Sequence, residues 1–384
     1  MFLNSIIGTA QQAELRVSVV GGSNSVMRRG YTKYLASQLR QATCLTTSLQ
    51  YYALGGVPNI FGLIQEARSS IALNSDLILF EYCVNDRHAI ETNHYSLELA
   101  GKSLEGFIRK CHKSNPYCLI VLVIFGVNKD SYYSQDCALS QLYESIGNRY
   151  RLPVVNLTKL LNQQRGENFV KSLYSETDEA HYTIPDGVKV VSQTIVEQLD
   201  KIGVINNLKS DKNFPLPTQV KPVYSDNLAN LSFFSDFELG NFFTRPPRRS
   251  IYQNSVYREK NFTLYQGNAL KFWLKGSLAA IYLKSDLRDG FIRIQFGAES
   301  LVTSSYSAWV NRIKPQNVIN LITLPLQRFS PSSDFALVSI SGCQEYPEQF
   351  ELDYVKQEPK YKQPHKWKLS VIGIAYLGEL KPPE

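Results

Sequence analysis

Ser23 is the first residue of this sequence whose type and position suit catalysis. It lies in residues 19–25, which read Val-Val-Gly-Gly-Ser-Asn-Ser and end an apolar run. A serine on a glycine-rich turn between a strand and a helix holds its hydroxyl beside exposed amides, as suits a nucleophile whose oxyanion those amides stabilise. A helix-capping or phosphate-binding serine fits such a turn equally well, and Ser25 is a rival nucleophile. No Gly-x-Gly-x-x-Gly or Walker spacing follows, which disfavours nucleotide binding.

Two later turns carry groups that could stabilise an oxyanion. Residues 54–59 read Leu-Gly-Gly-Val-Pro-Asn, and residues 81–86 read Glu-Tyr-Cys-Val-Asn-Asp. A glycine lets the backbone approach a reacting oxygen, and the side-chain amide of Asn85 can donate a second hydrogen bond. Either segment alone also fits a plain turn or an Asx turn. Of the two glycines we prefer Gly56 to Gly55, because Gly56 lies further from the preceding strand.

Asp178 and His181 could complete a catalytic triad. They lie three residues apart in Asp-Glu-Ala-His-Tyr, ahead of the last helix predicted for the first half. If both residues lie on one turn, the Asp178 carboxylate can bind one ring nitrogen of His181 and fix its tautomer, while the other ring nitrogen reaches a serine. Asn24, His88 and Tyr182 are candidate substrate-binding residues, with a surface loop as the alternative for His88. No cluster of His, Cys, Asp or Glu has a metal-ligand spacing, so we expect no metal site.

Residues 15–200 carry the elements that must position these groups. Apolar runs predict strands at 15–20, 48–54, 77–84, 119–125 and 153–157, and amphipathic stretches predict helices near 31–40, 61–73, 96–113, 138–149 and 188–202. Continuous apolar strands separated by helices indicate right-handed βαβ units and a parallel sheet covered on both faces. We therefore predict a three-layer α/β/α, flavodoxin-like domain over 1–205, with a ligand outside the carboxyl ends of its strands.

The pattern changes after this domain. Residues 206–227 contain polar runs and three prolines, which predict a linker. Short alternating or aromatic runs follow at 231–234, 261–265, 269–274, 278–283, 291–296, 318–324, 335–340 and 367–374. Turn residues separate these runs, as in an all-β sandwich. We therefore predict a smaller β-sandwich domain over 228–384.

Composition argues against several classes of protein. The 384 residues carry 41 Lys and Arg against 34 Asp and Glu, a net charge of +7, of which residues 211–384 hold +5. Because the basic residues are scattered, we expect no nucleic-acid partner, and no apolar run has the length of a membrane span. The first residues lack the charged and apolar regions of a signal peptide. The six cysteines show no CxxC spacing, which favours free thiols and a cytoplasmic location.

Taken together, the four segments resemble the SGNH (GDSL) hydrolase superfamily over roughly residues 14–202. That family has, in order, a Gly-Asp-Ser turn, a glycine, a Gly-x-Asn-Asp segment and an Asp-x-x-His segment. The resemblance implies that Ser23 is the nucleophile, that His181 is the general base and that Asp178 orients His181. It also implies an oxyanion hole built from the Ser23 amide, Gly56 and Asn85.

The sequence departs from the family pattern at two positions. Gly22 stands where the family usually has aspartate, which removes a carboxylate that often organises the turn. Cys83 stands where the family usually has glycine, so we expect an added side chain that narrows the site. Neither departure removes a group that the chemistry requires.

The resemblance implies acyl transfer through a covalent Ser23 intermediate. The first and third segments look like those of SGNH proteins associated with bacterial surface-polysaccharide synthesis, which implies polysaccharide O-acetylation in the cytoplasm, peripheral to a synthesis complex. Acetyl-CoA is then the expected co-substrate, no cofactor is expected to be bound, and the oligomeric state stays open. A carbohydrate O-acetylesterase with the same triad is one alternative, and a non-catalytic glycan-binding protein is another.

The second domain has two features that suit a carbohydrate partner, including an anionic polysaccharide. The run Arg-Pro-Pro-Arg-Arg at 245–249 would suit an anionic polymer or the phosphates of acetyl-CoA. Aromatic side chains could stack on sugar rings, although the core of a β-sandwich is aromatic as well; they are Phe233, Phe234, Tyr252, Tyr257, Phe272, Trp273, Tyr282, Tyr306 and Trp309.

Overall fold

The computed structural model describes residues 14–92, 95–133, 137–209, 220–307, 310, 318–324, 329–352 and 357–383. The described residues form a parallel α/β domain followed by a separate antiparallel β domain. The predicted fold class is therefore confirmed.

Five parallel strands build the sheet of the first domain: β1 Glu14–Gly21, β2 Thr46–Tyr51, β3 Leu77–Glu81, β4 Leu119–Ile124 and β5 Val154–Asn156. Their order is β2-β1-β3-β4-β5. The central strand β3 is buried along its whole length, because helices cover both faces of such a sheet, and its sequence is therefore apolar without alternation. The carboxyl ends of β1, β2 and β3 bring the three predicted turns to one edge. A small hairpin, β6 Tyr174–Ser175 and β7 Asp178–Tyr182, follows later in the chain.

Helices surround this sheet. α2 and α10 contact each other, whereas α5 contacts both α3 and α7, as right-handed crossovers onto two faces require. The hydroxyl of Ser96 caps α5 by accepting a hydrogen bond of 3.0 Å from the Leu99 N–H, which satisfies a donor that the first helical turn leaves free. The helices are α1 Ser23–Val26, α2 Thr32–Thr43, α3 Ile60–Ser69, α4 Cys83–Glu91, α5 Leu97–Ser114, α6 Asp130–Tyr133, α7 Ala138–Arg149, α8 Leu157–Arg165, α9 Glu167–Ser172, α10 Asp186–Lys201 and α11 Val204–Lys209.

The second domain is antiparallel. Its strands are β8 Ser232–Phe234, β9 Arg248–Gln253, β10 Arg258–Tyr265, β11 Ala269–Ser285, β12 Phe291–Phe296, β13 Glu299–Ser304, β14 Val318–Thr323, β15 Ser332–Gly342 and β16 Lys368–Lys381. The main path of the sheet runs β13-β12-β15-β11-β16-β10-β9, with β14 beside β11 and β8 beside β16. Buried apolar side chains from most of these strands form the domain's own core.

The strands of this domain differ from the predicted ones in several details, and β13 is one strand that was not predicted. The runs at 269–274 and 278–283 belong to one strand, β11, whose register shifts between Leu274 and Gly276. Gly276 has a φ of 129°, a conformation that favours glycine, so the irregularity bends the strand without ending it. The edge strand β9 was not predicted, because its side chains are mostly exposed and it lacks an apolar alternation.

The two domains meet along α3. The Arg68 guanidinium donates hydrogen bonds of 2.7 Å to both carboxylate oxygens of Glu259 in β10. It also lies over the rings of Phe233 and Tyr282, at 5.3 and 5.7 Å from their centres. Phe61 packs against Tyr282 with ring centres 5.4 Å apart. A two-atom charged pair fixes direction as well as distance, so the β domain is held in one orientation against this helix.

The described end of the predicted linker lies against α5. Glu105 accepts hydrogen bonds of 2.6 and 2.8 Å from the N–H groups of Val223 and Tyr224. The domain boundaries at 205 and 228 stay predictions. No helix among the described residues has the length and apolarity needed to cross a bilayer.

Candidate active site

Ser23, His181 and Asp178 lie in hydrogen-bond contact. His181 Nε2 is 2.7 Å from Ser23 Oγ, and His181 Nδ1 is 2.8 Å from Asp178 Oδ2. With the Nδ1 proton donated to the carboxylate, Nε2 is free to accept the Ser23 proton. The side chains of His181 and Asp178 are 30% and 44% exposed, so a substrate can reach them. The tertiary structure thus joins residues that are 158 positions apart.

Asp178 shapes the segment that carries the base. Its Oδ1 accepts hydrogen bonds from the N–H groups of Ala180 and His181, at 3.0 and 3.1 Å. These bonds turn the backbone, so that residues three apart face one another although they belong to the short strand β7 and not to a helical turn. Burial acts to raise the pKa of Asp178, but the hydrogen bonds from Ala180 and His181 outweigh it and lower the pKa. The carboxylate is therefore held in its charged form beside the imidazole.

Two side chains connect β7 to the segments that carry Ser23 and Asn85. Asn24, next to the candidate nucleophile, donates a hydrogen bond of 3.0 Å from Nδ2 to the Ala180 carbonyl. Arg87 in α4 donates one of 3.0 Å to Glu179. Sequence patterns gave no sign of either contact, because both join positions far apart in the chain. These two contacts fix the His181 segment relative to α1 and α4.

Gly55 lies against Ser23 and Asn85 lies against Gly22, whereas the oxyanion role of Gly56 and Asn85 stays a prediction. A Cβ placed on Gly55 would lie 3.3 Å from Ser23 Cβ, so this glycine backbone lies directly against the serine. Gly56 follows with a φ of 73°, which favours glycine. Asn85 is the third residue of α4 and is 4% exposed. A Cβ on Gly22 would lie 2.0 Å from Asn85 Oδ1. The Asn85 side chain therefore occupies the space that the Cβ of an aspartate at position 22 would need.

A buried hydrogen-bond network holds the second and third turns together. Asp86 accepts hydrogen bonds of 2.7 Å from the Asn59 N–H and 2.6 Å from the Tyr143 hydroxyl. Asn59 in turn donates to the Ala100 carbonyl at 2.8 Å and accepts from the Tyr95 hydroxyl at 2.7 Å. Burial raises the pKa of Asp86 to about 7, although the bonds from Tyr143 and Asn59 act to lower it. From the sequence, only an Asx turn was considered at Asn85-Asp86. The partners in the structure lie in, or just before, α3, α5 and α7.

Ser25 does not compete as the nucleophile. It is fully buried, and its hydroxyl donates a hydrogen bond of 2.9 Å to Glu81 and lies 3.2 Å from the Tyr31 hydroxyl. Burial raises the pKa of Glu81 to about 8, against the opposing effect of the Ser25 hydrogen bond. Ser25 therefore belongs to a buried polar cluster with Glu81 and Tyr31.

Three further expectations need correction. The Asn24 side-chain amide is already bonded to the Ala180 carbonyl, and Tyr182 packs between Phe125 and Tyr174, so neither side chain is directed at a substrate. Cys83 does not narrow the site, because it is fully buried and its sulfur lies 4.0 Å from Ser140 Oγ in α7.

His88 is partly exposed on α4. Burial, followed by the charge of Arg87, lowers its pKa. Its assignment to substrate binding stays a prediction. Among the described residues, no group of three His, Cys, Asp or Glu could hold a metal ion.

No protein-family model and no curated protein sequence matches this chain. Among solved structures, it is similar to a two-domain esterase (CEX) active on acetylated mannans, with 14% identity and a TM-score of 0.65 over 96% of this chain and 93% of that one. The same esterase co-crystallised with mannopentaose gives 13% identity and a TM-score of 0.63 over 96% and 92%. An acetylxylan esterase from Geobacillus stearothermophilus, Axe2, covers 49% of this chain and 95% of its own, with 13% identity and a TM-score of 0.41. The two-domain fold is thus shared along almost the whole chain.

Proposed function

Because its first domain has the fold of the SGNH (GDSL) hydrolases, we propose that this chain is a serine-dependent enzyme that makes or breaks O-acetyl esters on carbohydrate. The observation that carries the proposal is the contact of Ser23 Oγ with His181 Nε2 at 2.7 Å, with Asp178 on the other ring nitrogen. The glycine turn and Asn85 beside the same serine supply donors for an oxyanion.

The proposed reaction has two steps. His181 Nε2 takes the Ser23 proton while the serine oxygen bonds to an acetyl carbonyl carbon, and the carbonyl oxygen becomes an oxyanion. The bond to the leaving alcohol or thiol then breaks, His181 returns the proton to that group, and acetyl-Ser23 remains. In the second step His181 deprotonates the acceptor, which bonds to the acetyl carbonyl carbon; the bond to the Ser23 oxygen then breaks and His181 returns the proton to that oxygen. Water as the acceptor gives an esterase, and a sugar hydroxyl gives an acetyltransferase.

Within this class we place acetyl transfer from acetyl-CoA to a bacterial surface polysaccharide first. The similarity of the first and third segments to proteins of polysaccharide synthesis supports it, and the use of acetyl-CoA implies a cytoplasmic reaction. Hydrolysis of carbohydrate acetyl esters is the second candidate. The likeness to a two-domain esterase described as active on acetylated mannans supports that reading.

A basic cavity on the β domain suits an anionic polysaccharide. Its volume is about 540 Å³, and its lining includes Arg245, Arg249, Thr244 and Asn241. Arg249 forms an ion pair of 3.1 Å with Glu238, whereas Arg245 forms none among the described residues. An arginine without a carboxylate partner can bind a carboxylate or phosphate of a polymer.

Of the eight aromatic side chains considered for sugar stacking that the structure describes, four belong to the core. Tyr257, Phe272, Tyr282 and Tyr306 are at most 7% exposed, and Trp309 lies outside the described residues. Phe233, Phe234, Tyr252 and Trp273 are partly exposed. The basic cavity is therefore the better support for a glycan partner.

The test measures release of p-nitrophenol from p-nitrophenyl acetate, and of free CoA from acetyl-CoA, with and without candidate polysaccharides. Ser23→Ala and His181→Ala should abolish both signals, and Ser37→Ala, an exposed serine of α2, is the control. CoA release that depends on Ser23 and rises with a polysaccharide would support transfer. Ester cleavage that depends on Ser23 and is indifferent to the polysaccharide would support hydrolysis. Unchanged activity in both variants would leave the non-catalytic glycan-binding reading.

A further inference from the structure

The β domain reaches the turn that carries the candidate oxyanion glycines. Tyr257, which directly precedes β10, donates a hydrogen bond of 2.8 Å from its hydroxyl to the carbonyl of Ala53. Tyr257 is 7% exposed and Ala53 is fully buried, so water does not compete for this bond. Ala53 lies only two residues before Gly55, and a chain advances at most about 3.6 Å per residue. The residue that the Tyr257 hydroxyl binds, Ala53, therefore lies at most about 7 Å along the chain from Gly55, the glycine that contacts Ser23.

This bond holds one side of a segment whose other side is held by the nucleophile's own strand. The N–H groups of Tyr52 and Leu54 donate to the carbonyls of Val19 and Gly21 in β1, at 2.8 and 3.0 Å. The carbonyl of Ala53, between them, faces the other way and has Tyr257 as its partner. The segment is thus fastened between β1, which leads to Ser23, and the β domain.

Tyr257 is itself rigidly placed. Its backbone N–H donates a hydrogen bond of 2.6 Å to the Asn254 side chain, which fixes the turn between β9 and β10. Its ring packs against Phe61 in α3 with centres 6.3 Å apart. Two residues later, Glu259 binds Arg68 of α3 through both carboxylate oxygens. Phe61 lies in the first turn of α3, which begins directly after the turn at 54–59, so Tyr257 contacts the chain on both sides of the glycines.

We propose that Tyr257 is a positioning residue for the oxyanion hole, which makes the β domain a working part of the catalytic site. The proposal rests on the proposed function, since it takes Ser23 as the nucleophile and the glycine turn as an oxyanion donor. Without the Tyr257 hydroxyl, the Ala53 carbonyl loses its partner and the turn is free to move away from Ser23. Removing an oxyanion donor costs about 10²–10³-fold in kcat, and a misplacement of about 1 Å costs up to about 10²-fold. A turn that is loosened but not lost should cost about 10-fold.

The test compares Tyr257→Phe with Tyr282→Phe. Tyr282 is a fully buried tyrosine of the same interface whose hydroxyl lies 3.4 Å from Glu259 and is not bonded to the turn, so it is a matched control. With p-nitrophenyl acetate, we expect Tyr257→Phe to lower kcat about 10-fold with little change in KM, and Tyr282→Phe to stay within about twofold. If Tyr257→Phe does not fold, Arg68→Lys replaces it in the test. Arg68→Lys keeps the charge but loses the two-atom contact with Glu259, so it should also lower kcat.

A second readout separates this proposal from the proposed function. Phenylmethylsulfonyl fluoride forms a bond from sulfur to a nucleophilic serine oxygen and releases fluoride, and mass spectrometry locates the adduct. If wild-type Ser23 is not labelled, the nucleophile assignment fails, whatever Tyr257 does. If wild-type Ser23 is labelled and Tyr257→Phe is labelled at the same rate, only the positioning role fails. Equal losses of kcat in the two tyrosine variants, with equal falls in Tm, would likewise overturn it and leave the β domain a purely stabilising role.

Discussion

Replacing Gly22 with alanine should displace Asn85 from the candidate oxyanion hole. A Cβ at position 22 would lie 2.0 Å from Asn85 Oδ1 and 2.7 Å from Asn85 Cγ. Nonbonded atoms of this kind stay about 3.5 Å apart, so the Asn85 side chain must move by about 1 Å or more. Gly22 directly precedes Ser23, and the movement therefore occurs beside the candidate nucleophile.

The expected loss follows from the role of the amide. Removal of one oxyanion donor costs about 10²–10³-fold in kcat, or about 2.7–4 kcal/mol. We expect Gly22→Ala to lower kcat by about 10²-fold. KM should change little, because the donor acts on charge that develops only in the transition state.

The assay is a double-mutant cycle on p-nitrophenyl acetate with Gly22→Ala, Asn85→Ala and the double variant. If Gly22 matters only because it leaves room for Asn85, the double variant should lose no more activity than Asn85→Ala alone. Gly342→Ala is the control, since a Cβ at that position meets nothing within 4 Å. Full activity of Gly22→Ala, or losses that simply add, would refute the reasoning.

Three further predictions concern the base, the buried carboxyl and the basic cavity. Asp178→Asn should lower kcat on the same ester by about 10³–10⁴-fold at constant pH, because an amide no longer selects the His181 tautomer that accepts the serine proton; a loss below 10-fold would contradict the triad. Burial raises the pKa of Glu81 to about 8, so between about pH 5 and pH 8 the unfolded chain releases a proton that the folded protein keeps, and stability falls as pH rises. Glu81→Gln should reduce this fall in Tm, and an unchanged slope would show that Glu81 does not cause it. Arg245→Gln should weaken binding of polygalacturonate about 10-fold by calorimetry, whereas Arg258→Gln, an exposed arginine outside the cavity, should not.

Local patterns in the sequence were sufficient for most regular elements. The helix predicted at 138–149 and the strand predicted at 291–296 have the same bounds in the structure, because apolar periodicity reports directly which side of an element is buried. The strand predicted at 77–84 instead ends at Glu81, and α4 begins at Cys83. A continuous apolar run does not distinguish the end of a buried strand from the first turn of a buried helix.

The residue types of the candidate site could also be read from the sequence. Serine, histidine, aspartate, asparagine and glycine in that order limit the chemistry to a few classes, because each type offers a fixed set of donors, acceptors and protons. The order of strands and helices further implied that three of the turns would meet at one edge of the sheet.

Only the tertiary structure decided which of several similar groups belongs to the Ser23–His181–Asp178 contact. Ser23 and Ser25 are two residues apart, yet one contacts His181 and the other is buried against Glu81. Asn24 was expected to contact a substrate and instead fastens α1 to β7. The contact of Tyr257 with Ala53 joins two domains across 204 positions. Such outcomes depend on contacts between distant segments, and these form only when the whole chain packs; the local sequence determines the chemistry of a side chain but not its surroundings.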